Sequence, residues 1–416
     1  MLSEDGEEPV AVLERLAAAA DPGLVASPGP RFFGFVVGGT LPVAIAADWM
    51  TSAWDQNAGL EVLGPAAAVV EEVCERWIVE LLGLPAGASA GFVTGGQGAN
   101  TTCLAAARHA VLRDAGWDVE ERGLIGAPAV DVFVGEEAHT TIFSSLRLLG
   151  LGAGRAQRIP ADDQGRMDAA ALASRLGAAD GPAIVCAQAG EINTGSFDPF
   201  EAIADACASR GAWLHVDGAF GLWAAAAPRL RGLVTGVERA DSWATDAHKW
   251  LNVPYDSGIA IVGDRAVHRA ALALTAAYFV ETDAGRDNVA YVPETSRRAR
   301  GFPVYAALRT LGRRGVAELV QRCCDLARQM AGALAAEPGI RVLNDVVLNQ
   351  VLVALGDPGA TDAVLARIQA DGTCWLGGTT WRGAPAIRVS FSNWSTTAED
   401  VTRSAAAISE AVRQAS

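Results

Sequence analysis

Lysine is almost missing from this 416-residue chain: of its 33 basic residues only Lys249 is a lysine, and the rest are arginines. Positive charge is scarce as a whole, since 48 acidic residues leave a formal net charge of −15. That is the wrong sign for neutralising a phosphate backbone or an anionic lipid surface, so neither nucleic acid nor membrane is an expected partner. Clustered cysteine is missing as well. Cys74, Cys103, Cys186, Cys207, Cys323, Cys324 and Cys374 are odd in number and scattered, with no Cys-x-x-Cys spacing and no Cys/His cluster. Such a set fits neither a disulfide frame nor a metal site and reads as buried thiols in a reducing compartment. Long apolar runs are lacking too: the most apolar stretch, Phe32 to Ala47, contains three glycines, Thr40 and Pro42 and falls short of a membrane span. The first ten residues are acidic and lead into no apolar core with a cleavage site, so no secretory leader is read and the cytoplasm is the expected location.

Half of the residues are hydrophobic and 19% are charged, ample material for a large core. Residues 1–60, rich in Gly, Pro and aromatic clusters such as Gly29-Pro30-Arg31-Phe32-Phe33, read as an N-terminal arm. Residues 61–300 open with a helical stretch from Pro65 to Leu82. From Gly91 onward, strand-like runs (Gly91–Val93, Val130–Val134, Ala183–Ala187, Trp213–Val216, Ser242–Ala244, Gly258–Val262) alternate with helical ones (Ala99–Ala115, Thr140–Leu149, Asp168–Leu176, Phe200–Ser209). Alternation of this kind supplies the crossovers that parallel strands need, which predicts an α/β domain with a mostly parallel sheet flanked by helices. Residues 301–416 predict a smaller α+β domain: a long helix from near Phe302, strands at Gln350–Ala354 and Ala386–Phe391, and helices at Asp362–Ala370 and Thr397–Val412. Arg286 to Arg300 is polar and aperiodic and reads as a loop.

Four groups that can carry chemistry follow the predicted strands. The run Gly91-Phe92-Val93-Thr94-Gly95-Gly96-Gln97-Gly98 leads a strand into glycines and a helix, so free amides and a helix N-terminus meet where phosphate binds; a plain turn is equally compatible. Asp217, ending Trp213-Leu214-His215-Val216-Asp217, sits at the rim where open α/β sheets bind ligands. It can hold the proton of a ring nitrogen or cap a turn, and a metal pair with His215 lacks a third ligand. Lys249 lies in Asp246-Ala247-His248-Lys249-Trp250 after the next strand, and unlike arginine it can lose its proton and attack a carbonyl carbon. His139, in Glu137-Ala138-His139-Thr140-Thr141, is either a flat imidazole at the same rim or a helix-start residue. Amine, carboxylate, phosphate loop and imidazole together suit a phosphorylated pyridine aldehyde.

With these motifs in this order, the sequence resembles the pyridoxal-phosphate-dependent group II amino acid decarboxylases, of the aspartate aminotransferase fold type I. The likeness rests on His248-Lys249-Trp250, on His215-Val216-Asp217-x-Ala219 and on His139 before two threonines, with Gly195-Ser196-Phe197-Asp198-Pro199 and Ser296-Arg297-Arg298 as further family segments. The resemblance implies pyridoxal 5′-phosphate as cofactor and a homodimer with its sites at the subunit interface. It assigns Lys249 to the imine with the cofactor, Asp217 to the pyridine nitrogen, His139 and Ala219 to the two faces of the ring, and His248, Gly96, Gln97 and Gly98 to the phosphate. Two segments depart from the family pattern. Gly190-Glu191-Ile192-Asn193 replaces a Gly-Thr-Thr segment, with Asn193 or Thr194 as substitutes, and Tyr291, the nearest match to the family's proton-donating loop tyrosine, lies closer to Ser296-Arg297-Arg298 than expected.

The reaction expected from this resemblance is decarboxylation of an L-amino acid to an amine and carbon dioxide. Transamination and β-hydroxy amino acid aldol cleavage are alternatives open to the same residues. Arg388, in Ala386-Ile387-Arg388-Val389, is placed to bind a substrate carboxylate or to form a surface ion pair. Phe33, with its neighbours Phe32 and Phe35, is either part of an aromatic or otherwise apolar substrate pocket or part of the core.

Overall fold

The computed structural model describes residues 2, 4–274 and 285–415. Its centre is a seven-stranded sheet built from β1 (Ser89–Val93), β2 (Asp131–Gly135), β3 (Gln157–Ile159), β4 (Ala183–Gln188), β5 (Trp213–Asp217), β6 (Ser242–Asp246) and β7 (Gly258–Val262), in the order β1-β7-β6-β5-β4-β2-β3. The pairs β3–β2, β2–β4, β4–β5 and β5–β6 are parallel, while β7 is antiparallel to both β6 and β1. The central strands are buried on both faces, as their Val-, Ile- and Ala-rich runs require. Helices Gly96–Asp114, Thr140–Leu148, Ala169–Gly177 and Phe200–Arg210 supply the crossovers, as their sequence spacing predicted.

One consequence of this topology locates the chemistry. The parallel strands point their carboxyl ends to one rim, and β1, antiparallel to β7, shares that direction. The segments that follow β1, β2, β4, β5 and β6 therefore meet along a single edge. The outer edge of β1 is covered by side chains. Glu75 accepts the Ala90 N–H at 2.7 Å, Arg286 donates to the Ala90 carbonyl, and Arg297 donates to the Phe92 carbonyl at 2.6 Å. Arg297 and Glu71, both buried, pair at 2.8 Å, so this stretch of the expected loop is anchored, and removing one partner of such a pair costs about 3–5 kcal/mol.

A four-stranded antiparallel sheet follows helix Gly301–Ala335, made of β8 (Ile340–Val342), β9 (Gln350–Leu355), β10 (Gly377–Trp381) and β11 (Ala384–Ser390), in the order β10-β11-β9-β8. Helices Thr361–Asp371 and Ala398–Arg413 accompany it. Phe32 bridges to Trp375 beside this sheet, so the N-terminal segment packs on the C-terminal one. All seven cysteines are free and buried, and burial raises their thiols, Cys103 to about 12. Among the described residues no helix is long and apolar enough to cross a membrane, and no His/Cys/Asp/Glu cluster has the spacing of a metal site.

Candidate active site

Lys249 reaches the rim from the turn after β6. Its Nζ lies 3.1 Å from Asp246 Oδ2 and 6.0 Å from the centre of the Phe220 ring, with a fifth of the side chain exposed. Asp246 is almost wholly buried and also faces His248, whose Nε2 is 3.5 Å from Oδ1. His248 accepts the Ser257 N–H at Nδ1 (3.1 Å) and lies against the ring of Tyr255. Burial is the main cause holding His248 below the ordinary imidazole value; Lys249 acts in the same direction and Asp246 against it.

The glycines after β1 stand against this group. A Cβ on Gly96 would come within 2.9 Å of Asp246 Oδ2, and one on Gly95 within 3.1 Å of His248 Cε1, so a side chain at either position would push on these two rim groups. Gly96, Gln97 and Gly98 form the first turn of the helix Gly96–Asp114, whose opening amides have no partner within the helix. Gln97 Nε2 donates to Ser144 Oγ at 3.2 Å, which ties this turn to the helix that His139 starts.

Asp217 ends β5 on the same rim. Its Oδ1 accepts the Ala219 N–H at 3.2 Å and its Oδ2 accepts Asn100 Nδ2 at 3.0 Å. Asn100, fully buried in the helix after the glycine turn, also donates from Nδ2 to Thr141 Oγ1 (3.2 Å) and bonds His215 Nε2 through Oδ1 (2.9 Å). Behind His215, its Nδ1 lies 3.0 Å from Ser242 Oγ, which accepts Trp213 Nε1–H at 2.9 Å. Burial pushes His215 down to about 3, so this imidazole is neutral. Leaving one buried polar group of such a set unpaired costs about 1–3 kcal/mol, which favours full pairing.

His139 is the N-cap of helix Thr140–Leu148, and its Nδ1 accepts from Thr141 Oγ1 (2.8 Å) and Thr141 N–H (3.4 Å). The two readings of this residue are compatible: it starts a helix and stands at the rim. Burial holds it below the usual imidazole value, Lys249 and Arg388 act in the same direction, and Asp217 and Asp246 oppose them. The structure thus brings Lys249, Asp217, His139, His248, Ala219 and the Gly96–Gly98 turn together.

Arg388, half-buried on β11, donates to the Ile192 carbonyl at 3.3 Å and forms no ion pair within 4.0 Å among the described residues. Burial lowers it, and the nearby Glu191 opposes that shift. Glu191 is itself buried and raised by burial. It accepts the Asn193 and Thr194 N–H groups at 2.7 and 2.6 Å and Asn193 Nδ2 at 2.9 Å. Thr194 Oγ1 donates to the Gln164 carbonyl (2.7 Å), and Asn193 Oδ1 accepts Thr379 Oγ1–H (2.8 Å), so both expected substitutes for the family hydroxyl are engaged in holding this turn.

Two sequence-predicted residues stand outside the group. Phe33 is 1% exposed, with its ring 4.8 Å from Phe391 and its N–H bonded to the Trp375 carbonyl; the exposed neighbour is Phe35, which stacks on Trp375 at 5.4 Å. The chain turns through positive φ at Phe35 and Val36, which no hydropathy pattern reveals. Tyr291 is buried with its carbonyl against Gly91, midway along β1. Its hydroxyl accepts from Arg265 (3.1 Å), its ring lies under Arg286, and its carbonyl meets His268 Nε2 (3.0 Å). Two functional candidates were missed: Asp246, adjacent to a recognised motif, and Asn100, whose signal was a poor helix former inside a helix.

Residues 2–355 match the family model of the pyridoxal-dependent decarboxylase conserved domain. Acidic amino acid decarboxylase GADL1 of Bos taurus is 30% identical over 326 residues, 76% of this chain and 61% of its own length. Aromatic-L-amino-acid decarboxylase of Bacillus atrophaeus is 28% identical over 341 residues, 80% and 69% of the two chains. L-2,4-diaminobutyrate decarboxylase of Rhizobium meliloti is 30% identical over 388 residues, 89% and 75%. The chain therefore spans less than two thirds of the bovine relative. Among solved structures, Oryza sativa TDC with PLP and tryptamine superposes with a TM-score of 0.92 at 23% identity, covering 100% of this chain and 90% of the other. Mouse CSAD does so at 0.90 and 23%, covering 99% and 89%. At that identity the superpositions establish a shared fold.

Proposed function

The chain belongs to the pyridoxal-dependent decarboxylase family, and on that premise we propose that it removes the α-carboxylate of an amino acid as carbon dioxide, using pyridoxal phosphate joined to Lys249. The observation that carries this reading is the convergence of the single lysine with Asp217, His139 and the glycine turn on one rim. The residues fit the cofactor. Side chains at Gly95 and Gly96 would push on His248 and Asp246, the first amides of the helix have no partner within it and can bind phosphate, and Ser257 Oγ, buried beside this turn, has no hydrogen-bond partner among the described residues.

When bound, pyridoxal phosphate supplies an electron sink for the pair left by the departing carbon dioxide. The protein does the rest. The amides of Gly96, Gln97 and Gly98, with His248, hold the phosphate. Asp217 keeps the pyridine nitrogen protonated, and His139 and Ala219 line the two ring faces. Lys249 Nζ would provide the attachment, with Asp246 as the counter-ion of its ammonium form. Arg388 holds a carboxylate; Glu191 is near it but forms no ion pair with it within 4.0 Å among the described residues, which leaves the guanidinium open for that role. The relatives' names cover acidic, aromatic and diamino acids. For this chain an aromatic or other apolar side chain is the reading, supported by Phe35, three residues from Gly38, whose Cα side touches the Lys249 carbonyl.

The reading extends to a homodimer in a reducing compartment. Helix Pro9–Ala20 buries none of its residues in the protomer and exposes Val10, Leu13 and Leu16, a face that a second copy would cover. The deciding experiment loads the full chain with pyridoxal phosphate, reduces it with borohydride, maps the labelled peptide and measures carbon dioxide from an amino acid panel. Label on Lys249 with carbon dioxide release is expected. Keto acid or aldehyde without carbon dioxide would make it an aminotransferase or aldolase, and no label would refute the site.

A further inference from the structure

We propose that Asn100 is the positioning residue of this site: one buried carboxamide sets the orientation of both Asp217 and His139, and the His215 imidazole behind it sets which way the carboxamide faces. This rests on the proposed reading, in which those two groups meet the cofactor ring at its edge and its face.

The sense of the chain follows from its acceptor end and from the single proton of the neutral His215 ring. Trp213 Nε1–H can only donate, and it donates to Ser242 Oγ. The Asp217 carboxylate can only accept, and it faces Asn100 Nδ2. With Asn100 Nδ2 committed to the carboxylate, Asn100 Oδ1 faces His215 Nε2, and a neutral His215 then leaves one arrangement of the links. Ser242 Oγ–H donates to His215 Nδ1, His215 Nε2–H donates to Asn100 Oδ1, and Asn100 Nδ2 donates to Asp217 Oδ2. The second Nδ2 hydrogen goes to Thr141 Oγ1, whose own hydrogen then goes to His139 Nδ1, which leaves the His139 proton on Nε2. Asn100 thus uses both donors and its acceptor, and among the described residues no other hydrogen-bond path links the carboxylate of β5 to the imidazole after β2. Turning the amide over would face its oxygen to a carboxylate and leave His139 without its hydroxyl donor.

Two measurements test this on the full chain. Nitrogen-15 spectra of the histidines, five in all, should show His215 and His139 as Nε2–H tautomers; a proton on Nδ1 of His215 would reverse the chain and overturn the proposal without any substitution. The second uses Asn100→Asp, which keeps the shape and removes both donors. Its pyridoxal phosphate dissociation constant should rise about 10- to 100-fold, and the absorption band of the bound cofactor should shift. Trp213→Phe, at the far end, should change both by less than about twofold while lowering the melting temperature at least as much. Unchanged affinity and absorption in Asn100→Asp, or losses that merely track melting temperature across the series, would refute positioning by Asn100. Failure of the wild-type chain to take up pyridoxal phosphate would instead refute the reading of the site, and the proposal with it.

Discussion

The two sides of the rim are built on opposite plans. Around Asp217, the polar groups of Asn100, Thr141, His215 and Ser242 have protein partners at 2.8–3.2 Å. Around Lys249, Asp246 Oδ1 and Ser257 Oγ are buried with no hydrogen-bond partner among the described residues. The nearest contact to Asp246 Oδ1 is His248 at 3.5 Å. A satisfied network is rigid and selects one orientation, whereas a wall with open valences is completed by what binds. The comparison teaches that the wall at Asp217 is preorganised by the fold, while the wall at Lys249 keeps open valences that, on the proposed reading, the cofactor fills.

The sharpest way to break this contrast is Lys249→Ala, which removes the only lysine from the unfinished wall. Decarboxylation should fall by about four orders of magnitude, with borohydride labelling abolished; residual labelling would show that another amine carries the attachment. Asp217→Asn attacks the finished wall. A fall in kcat on the order of 10²–10³ is expected with attachment to Lys249 retained, and loss of the label instead would mean that Asp217 acts on binding. Arg388→Met tests the border between the walls: a KM about tenfold higher with a smaller change in kcat fits carboxylate binding, and an unaltered KM does not.

Smaller effects lie further from the rim. His215 and His268, both pushed down to about 3 by burial, stay neutral in the fold, while in the unfolded chain they protonate near 6.5. Unfolding therefore takes up protons below pH 6.5, and their contribution to stability, complete above that value, is lost as pH falls toward 3. Asp198, raised by burial to about 7, has the opposite sign: its penalty grows as pH rises from about 4 to 7. The difference between wild type and His268→Gln isolates the first effect; thermal unfolding should show a shallower acid slope for the variant, and parallel slopes would exclude it. Tyr291→Phe should change kcat least, by under about twofold, because that hydroxyl is engaged with Arg265. A large loss would return Tyr291 to the chemistry.

Much of this was legible beforehand for physical reasons. Lys249 stood out because an arginine-rich chain retained one amine, and Asp217 because a carboxylate ends a buried strand. Long strands and helices declared themselves by periodicity. β3 and β8 have three residues each, and β10 is the run Gly-Gly-Thr-Thr-Trp, too short or too mixed to carry a period. Phe33 and Phe35 are equally apolar, so only the backbone turn between Phe32 and Gly38 separates the core ring from the exposed one. Tyr291 was read from its distance to an arginine motif, and spacing along the chain says nothing about where along β1 it packs.

Composition and order pointed to the class of chemistry, because lysine is the side chain that forms an imine and the succession of amine, acid, imidazole and glycine turn resembles that of one cofactor family. They also determined the layered architecture, because alternating strand and helix patterns close into few sheets. The tertiary structure decided who holds whom. Asn100 meets Asp217 across 117 residues and His215 across 115. Contacts of that separation depend on the register of parallel strands and on how one helix lies over them, which no local pattern encodes.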